Sequence, residues 1–490
     1  MRYRDILVAG VPFLVLVFIV LVLHEFTSRA PEAEAIPAFA RKYDFKCNVC
    51  HVPGFPKLND FGNLFRDRGY QMGSDADLPV YEGITMGFWP VSFRTTVGYQ
   101  LASVRADGSS VSTGGFGFTG LDILSFGTLT RDMAFGVVYT PGLGSAGFGT
   151  GASESDLESA FVRLMRLEQY VGIKSKPGDY LVNLRVGKFE LDAPFSEKRS
   201  PTLNSNIVMY HYTSGTAYGT TNITNLRNYS NPNTFLIGEN QPGAEITGLM
   251  KTAPTNGFLR YSLAALSTNT FSGALSGCPN NPNSPCGTGG RGVNFYGHVT
   301  QSFGGYGIVT GHRIGLFGAY GDAPTTVNAT CPTCQAVGGS GQPFSRIGVD
   351  LSTTFNGEWN LFGAFVHGND SKNLFAAQST ITSPQNASWN GGFVELDYFP
   401  TLLPFLNVPD WFFAYRYDII RNNRQGDATF AHNYNNVDSH TFLARYFIHQ
   451  STRTDLAVHA EYNTYRTKGA GAGGGDLLGQ TMLVGLDFAY

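Results

Sequence analysis

Charge is scarce in this chain. Only 14% of its 490 residues are Asp, Glu, Lys or Arg, against about 25% in an ordinary soluble protein, so a charged surface is not what keeps it dispersed. The formal net charge is −3 and Lys and Arg form no dense run, which leaves no electrostatic footprint for nucleic acid. No nucleophile elbow, phosphate-binding loop or zinc-protease signature occurs, so hydrolase and nucleotide chemistry lack support. Cysteine is rare, with six in the chain. Beyond residue 35 no stretch reaches eighteen consecutive apolar residues, and nothing there can cross a membrane as a helix.

Glycine and aromatics are abundant instead. Sixty glycines and 13% aromatic residues, without a collagen-like period, fit many short strands joined by tight turns. At the start, Arg2 and Arg4 precede an apolar run from Ile6 to Leu23, and Ala33-Glu34-Ala35 has the small-x-small form of a signal-peptidase site. Cleavage after Ala35 leaves Ile36 first; an uncleaved anchor is the alternative, because the run just reaches spanning length. Either reading exports the remainder.

From about Val91 onward, segments of roughly ten residues alternate apolar and polar side chains, the period-two signature of strands. Phe413, Tyr415, Tyr417 and Ile419 share one face, and Ala414, Arg416 and Asp418 take the other. Tyr180 to Val186 places Asn183 and Arg185 on the polar face, and Val394 to Tyr398 places Glu395 and Asp397 there. Leu456, Val458, Ala460 and Tyr462 likewise oppose Ala457, His459, Glu461 and Asn463. A lipid face and a wet lumen sort residues in this way. The last segment carries an outward stripe of Met482, Val484, Leu486, Phe488 and Tyr490, similar to the C-terminal strand of bacterial outer-membrane proteins. A soluble sandwich, the competing reading, does not explain why charges alternate with that stripe over so many strands.

Short turns at Gly304-Gly305, Asn356-Gly357 and Gln450 to Arg453 alternate with long loops near Phe271 to Gly290, Gly321 to Gln342, Asp370 to Ser388 and Asn422 to Asn436. The expectation is an all-β fold, an antiparallel outer-membrane β-barrel of on the order of 16 strands. It divides the chain into an export segment (1–35), a short haem segment (36–85), mostly helical or irregular and plugging the barrel, and a porin-like barrel (86–490).

Residues 47 to 51 read Cys47-Asn48-Val49-Cys50-His51, the C-x-x-C-H pattern of covalent c-type haem attachment. Two thiols three positions apart reach the two vinyl groups of one porphyrin, and the adjacent imidazole falls beneath the iron. Zinc is a weaker reading, since no second Cys/His pair lies nearby. For the sixth ligand Met72 comes first and Met86 second, while ordinary packing explains either Met equally well. The segment is too short for its own core, so it is expected in or against the periplasmic mouth of the barrel. Arg66 and Arg68 are candidates for the haem propionates, or else a solvated basic face. Cys331-Pro332-Thr333-Cys334 lacks a following His, so disulfides 278 with 286 and 331 with 334 are expected in outward loops; a metal site of four thiols is the alternative.

Ile36-Pro37-Ala38-Phe39-Ala40-Arg41, the Cys47 to His51 motif, Phe55-Pro56-Lys57-Leu58-Asn59-Asp60-Phe61-Gly62 and Gly69-Tyr70 resemble the fused monohaem cytochrome–porins of the outer membrane in iron-oxidising bacteria. Beyond these residues the resemblance extends to length, architecture and Gly187-Lys188-Phe189-Glu190 leading to Phe195 and Arg199. It implies a barrel in outer-membrane lipid around a cytochrome segment with one haem, Cys47 and Cys50 as attachment sites and His51 as proximal ligand. It implies electron transfer from extracellular Fe(II) to a periplasmic cytochrome or copper protein. It assigns neither the sixth ligand nor an iron-binding residue. Electron export through the same hardware, a porin-like channel with a haem-stapled plug, and a haem enzyme or sensor with an open sixth position are the other functions considered.

Overall fold

Period-two alternation folds as antiparallel strands, each hydrogen-bonded to its sequence neighbours and the last to the first, so that the described residues form one closed barrel of sixteen strands. They are β1 (Val91–Ala106), β2 (Ser109–Thr130), β3 (Met133–Thr140), β4 (Asp156–Leu164), β5 (Tyr180–Glu190), β6 (Asn240–Thr252), β7 (Gly257–Ser267), β8 (Val293–Phe303), β9 (His312–Asp322), β10 (Pro343–Phe355), β11 (Trp359–Asp370), β12 (Ala387–Tyr398), β13 (Trp411–Arg424), β14 (Val437–Gln450), β15 (Asp455–Thr467) and β16 (Leu477–Ala489). Short helices α1 (Ala38–Tyr43), α2 (Asp60–Asp67), α3 (Val208–His211) and α4 (Lys372–Ala376) lie in the connecting segments. This is a computed structural model, and it describes residues 38–43, 45, 49–52, 56–72, 79, 90–141, 156–219, 226–229, 231, 233, 235–267, 293–307, 310–323, 342–376, 381–400, 411–450 and 454–490. The expected export segment, Cys47, Met86 and the cysteines at 278, 286, 331 and 334 lie outside the described residues.

Closure follows from one ladder, which pairs β1 with β16 from Arg94↔Ala489 to Arg105↔Leu478. Phe93 and Tyr490 extend it by exchanging backbone hydrogen bonds of 2.6 and 2.8 Å. Every strand is thereby paired on both sides over at least part of its length, although among the described residues Ser109 to Asp122 of β2 pair with β1 only. The two faces differ as the sequence predicts. In β10, Phe344, Arg346, Asp350 and Ser352 point inward at 5% exposure or less, whereas Ile347, Val349 and Leu351 point outward at 59%, 50% and 52%. The inward assignments of Asn183, Arg185, Glu395, Asp397, Arg416, Asp418, His459, Glu461 and Asn463 all hold. Near one rim the exterior carries a run of neighbouring rings, Trp359, Tyr398, Phe413, Trp411 and Tyr446, with successive centroids 4.0, 6.4, 5.5 and 5.1 Å apart.

An even strand count brings both ends of the barrel chain to that same rim. Its turns include Arg131-Asp132 and Asn356-Gly357, the latter with φ of +54° and +70° as a tight hairpin turn requires. Most long connections join strands at the opposite rim; the departures are β1 and β2, joined there by only Asp107-Gly108, and the connections 165–179 and 399–410, which join strands at the rim of the chain ends.

The longest connection, residues 191–239 between β5 and β6, was not among the predicted long loops, and it turns inward. The reason is its own apolar content. Ile207, Val208, Met209, Tyr210 and Tyr212 are almost fully buried and pack with wall residues Phe362, Trp389 and Phe393 in one luminal cluster. The polar backbone of this loop is met by inward side chains of the wall. Glu461 accepts from the Leu203 N–H (2.6 Å), the Asn204 N–H (3.1 Å) and the Ser205 hydroxyl (2.6 Å). Asp418 accepts from the Val208 N–H at 3.1 Å, and Tyr212 donates to Asn422 at 2.8 Å.

Glu461→Ala removes the acceptor of three donors at once, the buried Ser205 hydroxyl and the partly buried N–H groups of Leu203 and Asn204, at up to about 1–3 kcal/mol for a fully buried group. The expected outcome is protease cleavage within residues 191–239 of a barrel that still migrates as folded before heating; wild-type resistance of the loop would refute this anchoring.

Candidate functional site

The Cys50-His51 turn is held by a short return of the chain. His51 and Leu58 form an isolated antiparallel bridge, the Val52 N–H donates to Lys57 O (3.1 Å), and the Asn59 N–H donates to Cys50 O (2.9 Å). Asn59 is also the N-cap of α2, where its side-chain oxygen accepts from the Gly62 N–H at 2.9 Å. Its amide nitrogen donates to Val49 O at 3.0 Å, so one residue ties the motif to the helix. Gly62 is required by contact, because a Cβ there would stand 2.1 Å from the Cys50 carbonyl oxygen.

His51 Nδ1–H donates to Pro56 O at 3.1 Å, which places the ring's electron pair on Nε2. Burial dominates its ionisation and lowers it to about 4, against the opposing hydrogen bonds to Pro56 and Lys57. The imidazole is therefore neutral at neutral pH, the form in which a metal can be bound. Burial likewise pushes the Cys50 thiol up to about 11.

Helix α2 docks inside the barrel at the rim that carries the chain ends. Lys57 pairs with Asp397 and donates to Asn360 at 3.3 Å. Asp60 accepts from the Tyr306 N–H at 3.2 Å, and Gln71 donates to Arg131 O at 2.8 Å. Asp67 is bonded to Arg260 (2.6 Å) and Tyr306, and Arg260 also pairs with Asp192 of the inward loop. Burial alone would raise the Asp67 carboxyl, but Arg260 and then Arg66 outweigh it and hold the group well below the usual carboxylate range.

Cys50 and His51 open onto a cavity of about 330 Å³ enclosed between this segment, the wall and the start of the inward loop. Its lining is mixed: Phe39, Phe65, Leu124, Phe126, Val138 and Phe161 are apolar, Arg66, Arg163, Arg185, Lys198 and Arg199 are among its cations, and Asp67, Asp122, Glu158, Glu190, Asp192 and Glu245 are carboxylates. Phe39, Phe65 and Tyr70 pack edge-on and stacked at 5.0 and 5.2 Å, and Tyr70 continues the set to Phe126 at 5.5 Å. A flat apolar ring system with an anionic edge suits such a lining, and the buried Nε atoms of Arg163 and Arg185, which have no hydrogen-bond partner, are a second sign of fit.

The predicted site residues are distributed unevenly around this cavity. Arg66 lines it. Arg68 points elsewhere, donating to Gly178 O at 3.4 Å and lying over the Tyr180 ring. Met72 packs against the Phe65, Tyr70 and Ala134 cluster and is not among the lining residues. Sequence reasoning missed Arg163, Lys198 and the cavity role of Arg185. The signal available was parity: Arg163 and Arg185 are direct cross-strand partners on the inward face of β4 and β5.

No protein-family model matches the chain, and no curated protein matches it. Among solved structures it is similar to OprB of Pseudomonas putida, with 11% identity, 84% of this chain and 96% of that one covered, and a TM-score of 0.47. Similarity also extends to the outer membrane channel DcaP of Acinetobacter baumannii (9% identity, 82% and 97% covered, TM-score 0.42) and to OmpF of Salmonella typhi (12%, 82% and 97%, 0.42). At these values the likeness is one of barrel architecture only.

Two substitutions test the motif's support. Asn59→Ala should lower the stability of the docked segment by about 1 kcal/mol through loss of the cap, and Gly62→Ala by more, since backbone must shift. Faster proteolysis of residues 38–72 in the folded barrel is the expected reading, in that order; equal protection of both variants and wild type would contradict it.

Proposed function

We propose that this chain is an outer-membrane c-type cytochrome that carries electrons across the membrane through one covalent haem, from extracellular Fe(II) to a periplasmic cytochrome or copper protein. The observation that carries the reading is the opening of Cys50 and His51, from a C-x-x-C-H motif, onto a cavity inside a closed barrel that is lined by aromatic and aliphatic side chains together with several arginines. The outward apolar band and the run of neighbouring aromatics on β11 to β14 at one rim suit a lipid surround. The rim with the chain ends is then periplasmic, and most of the long connections are extracellular.

A haem bonded there supplies reversible one-electron iron chemistry. Cys47 and Cys50 would hold it by thioether bonds and His51 would ligate it through Nε2. Met72 is the proposed sixth ligand, with Met86 behind it. The wall separates the redox centre from lipid, and the inward loop, pinned by Glu461 and Asp418, narrows the path for water. Fe(II) is the substrate in this reading, and no residue is assigned to its capture.

A second reading is a porin-like channel in which the haem-stapled segment is a structural plug. The barrel itself favours it, because sixteen strands are enough for an aqueous pore. Solute conductance in liposomes that loss of haem leaves unchanged would support this alternative over electron transfer.

The test of the main reading is a reduced-minus-oxidised spectrum of outer-membrane fractions with Fe(II) as the only reductant. Reduced c-type bands are expected. A haem that dithionite reduces and Fe(II) does not would point to electron export, and a polypeptide colourless under haem staining would end the proposal. In the oxidised spectrum, a Met-to-iron charge-transfer band should vanish in Met72→Ala and survive in Met86→Ala; the reverse pattern would reassign the ligand.

A further inference from the structure

We infer that Arg163, supported by Arg185, is the anchor for the anionic edge of the bound porphyrin, its guanidinium donating to a propionate carboxylate. This rests on the haem reading above and concerns residues that neither the motif nor the resemblance indicated.

Arg163 on β4 and Arg185 on β5 stand directly opposite each other on the inner face of the wall. Like charges in that position destabilise a sheet unless something compensates them. Both are buried, at 5% and 9% exposure, and both line the cavity. Arg185 has a partial answer, since it pairs with Glu245 at 2.7 Å and lies over the Phe189 ring at 4.2 Å.

Arg163 has none of that kind. Its NH1 donates to the carbonyl of Arg66 at 3.0 Å, and its Nε is buried without a hydrogen-bond partner. The other cations of the cavity are paired: Arg66 with Asp67, Arg94 with Asp487, Lys198 with Glu158, Arg199 with Glu190, and Arg260 with Asp67 and Asp192. Among the described residues, Arg163 is thus the cavity cation with no carboxylate in salt-bridge reach. The carboxylates that act on it through space, Glu245 and Asp67, are already paired with Arg185 and with Arg66 and Arg260; a buried guanidinium whose counter-charges are engaged elsewhere is unfavourable, and its planar fork matches a carboxylate in two parallel bonds. The carboxylates of the cavity thus leave the Arg163 guanidinium without a direct ion pair. The described N-terminal segment accepts a hydrogen bond from Arg163 only through the Arg66 carbonyl, so a carboxylate in direct contact would come with the occupant. A porphyrin tethered at Cys50 brings two carboxylates on the edge away from its vinyl groups.

The test uses the full-length holoprotein in detergent and reads the haem midpoint potential as a function of pH in wild type, Arg163→Gln, Arg163→Lys and Arg68→Gln. Loss of a cation beside a propionate stabilises the oxidised iron. It also raises the propionate pKa, because the group was held ionised by the positive charge. Arg163→Gln should accordingly lower the midpoint and move the pH-dependent part of the curve to higher pH. Arg163→Lys, which keeps charge but not the fork, should give a smaller shift of the same sign, and Arg68→Gln should follow wild type. If Arg163→Gln fails to assemble, Arg163→Lys carries the test. Coincident curves for the Arg163 variants and wild type would overturn the assignment and leave the haem reading intact; a wild-type protein without haem would overturn both.

Discussion

A strand surrounded by hydrocarbon has no water to bond its N–H and C=O groups, so each must find a partner within the sheet. In the proposed membrane setting the β1–β16 ladder is the interaction on which the remaining structure depends, because it closes the sheet. Closure also divides the molecule into two solvents. Once inside and outside exist, the pleat sends alternate side chains to each, and Ile347, Val349 and Leu351 on β10 are parted from Arg346, Asp350 and Ser352 without any further instruction.

The lumen so created is too polar to stay dry and too wide for wall side chains to fill alone. Two segments complete it. Residues 191–239 bring an apolar patch centred on α3 to one part of the wall, with Glu461, Asp418 and Asn422 meeting the loop's polar atoms. Helix α2 enters from the rim of the chain ends and is held by Lys57, Asp60 and Asp67. Arg260 touches both, pairing with Asp67 of α2 and Asp192 of the loop. The cavity lies where these pieces meet, so its shape depends on the docking of each.

Most charges in that interior are arranged as buried pairs. A pair of this kind contributes little net stability against an apolar alternative, yet losing one member is costly. Such a lumen resists rearrangement more than it adds to stability. Among the cations that line the cavity in the described residues, Arg163 is the one outside this pairing.

Some of this was legible in the residues and some was not. Period-two alternation depends only on near neighbours, and it sufficed for the barrel, its approximate strand number and the inward place of Arg185, Glu395, Asp418 and Glu461. The C-x-x-C-H spacing is equally local, and so is the turn at Asn356-Gly357. What only tertiary structure decided are encounters between residues far apart in sequence. The inward turn of 191–239 depends on partners more than two hundred positions away, such as Asp418 and Glu461. The convergence of Arg163 and Arg185 depends on the register of β4 against β5. The packing of Met72 against the Phe65, Tyr70 and Ala134 cluster and the hydrogen bond of Arg68 to Gly178 are likewise contacts that spacing along the chain does not give. Parity gives the face a side chain takes, and it carries no information on which distant side chain will share that face at the same height.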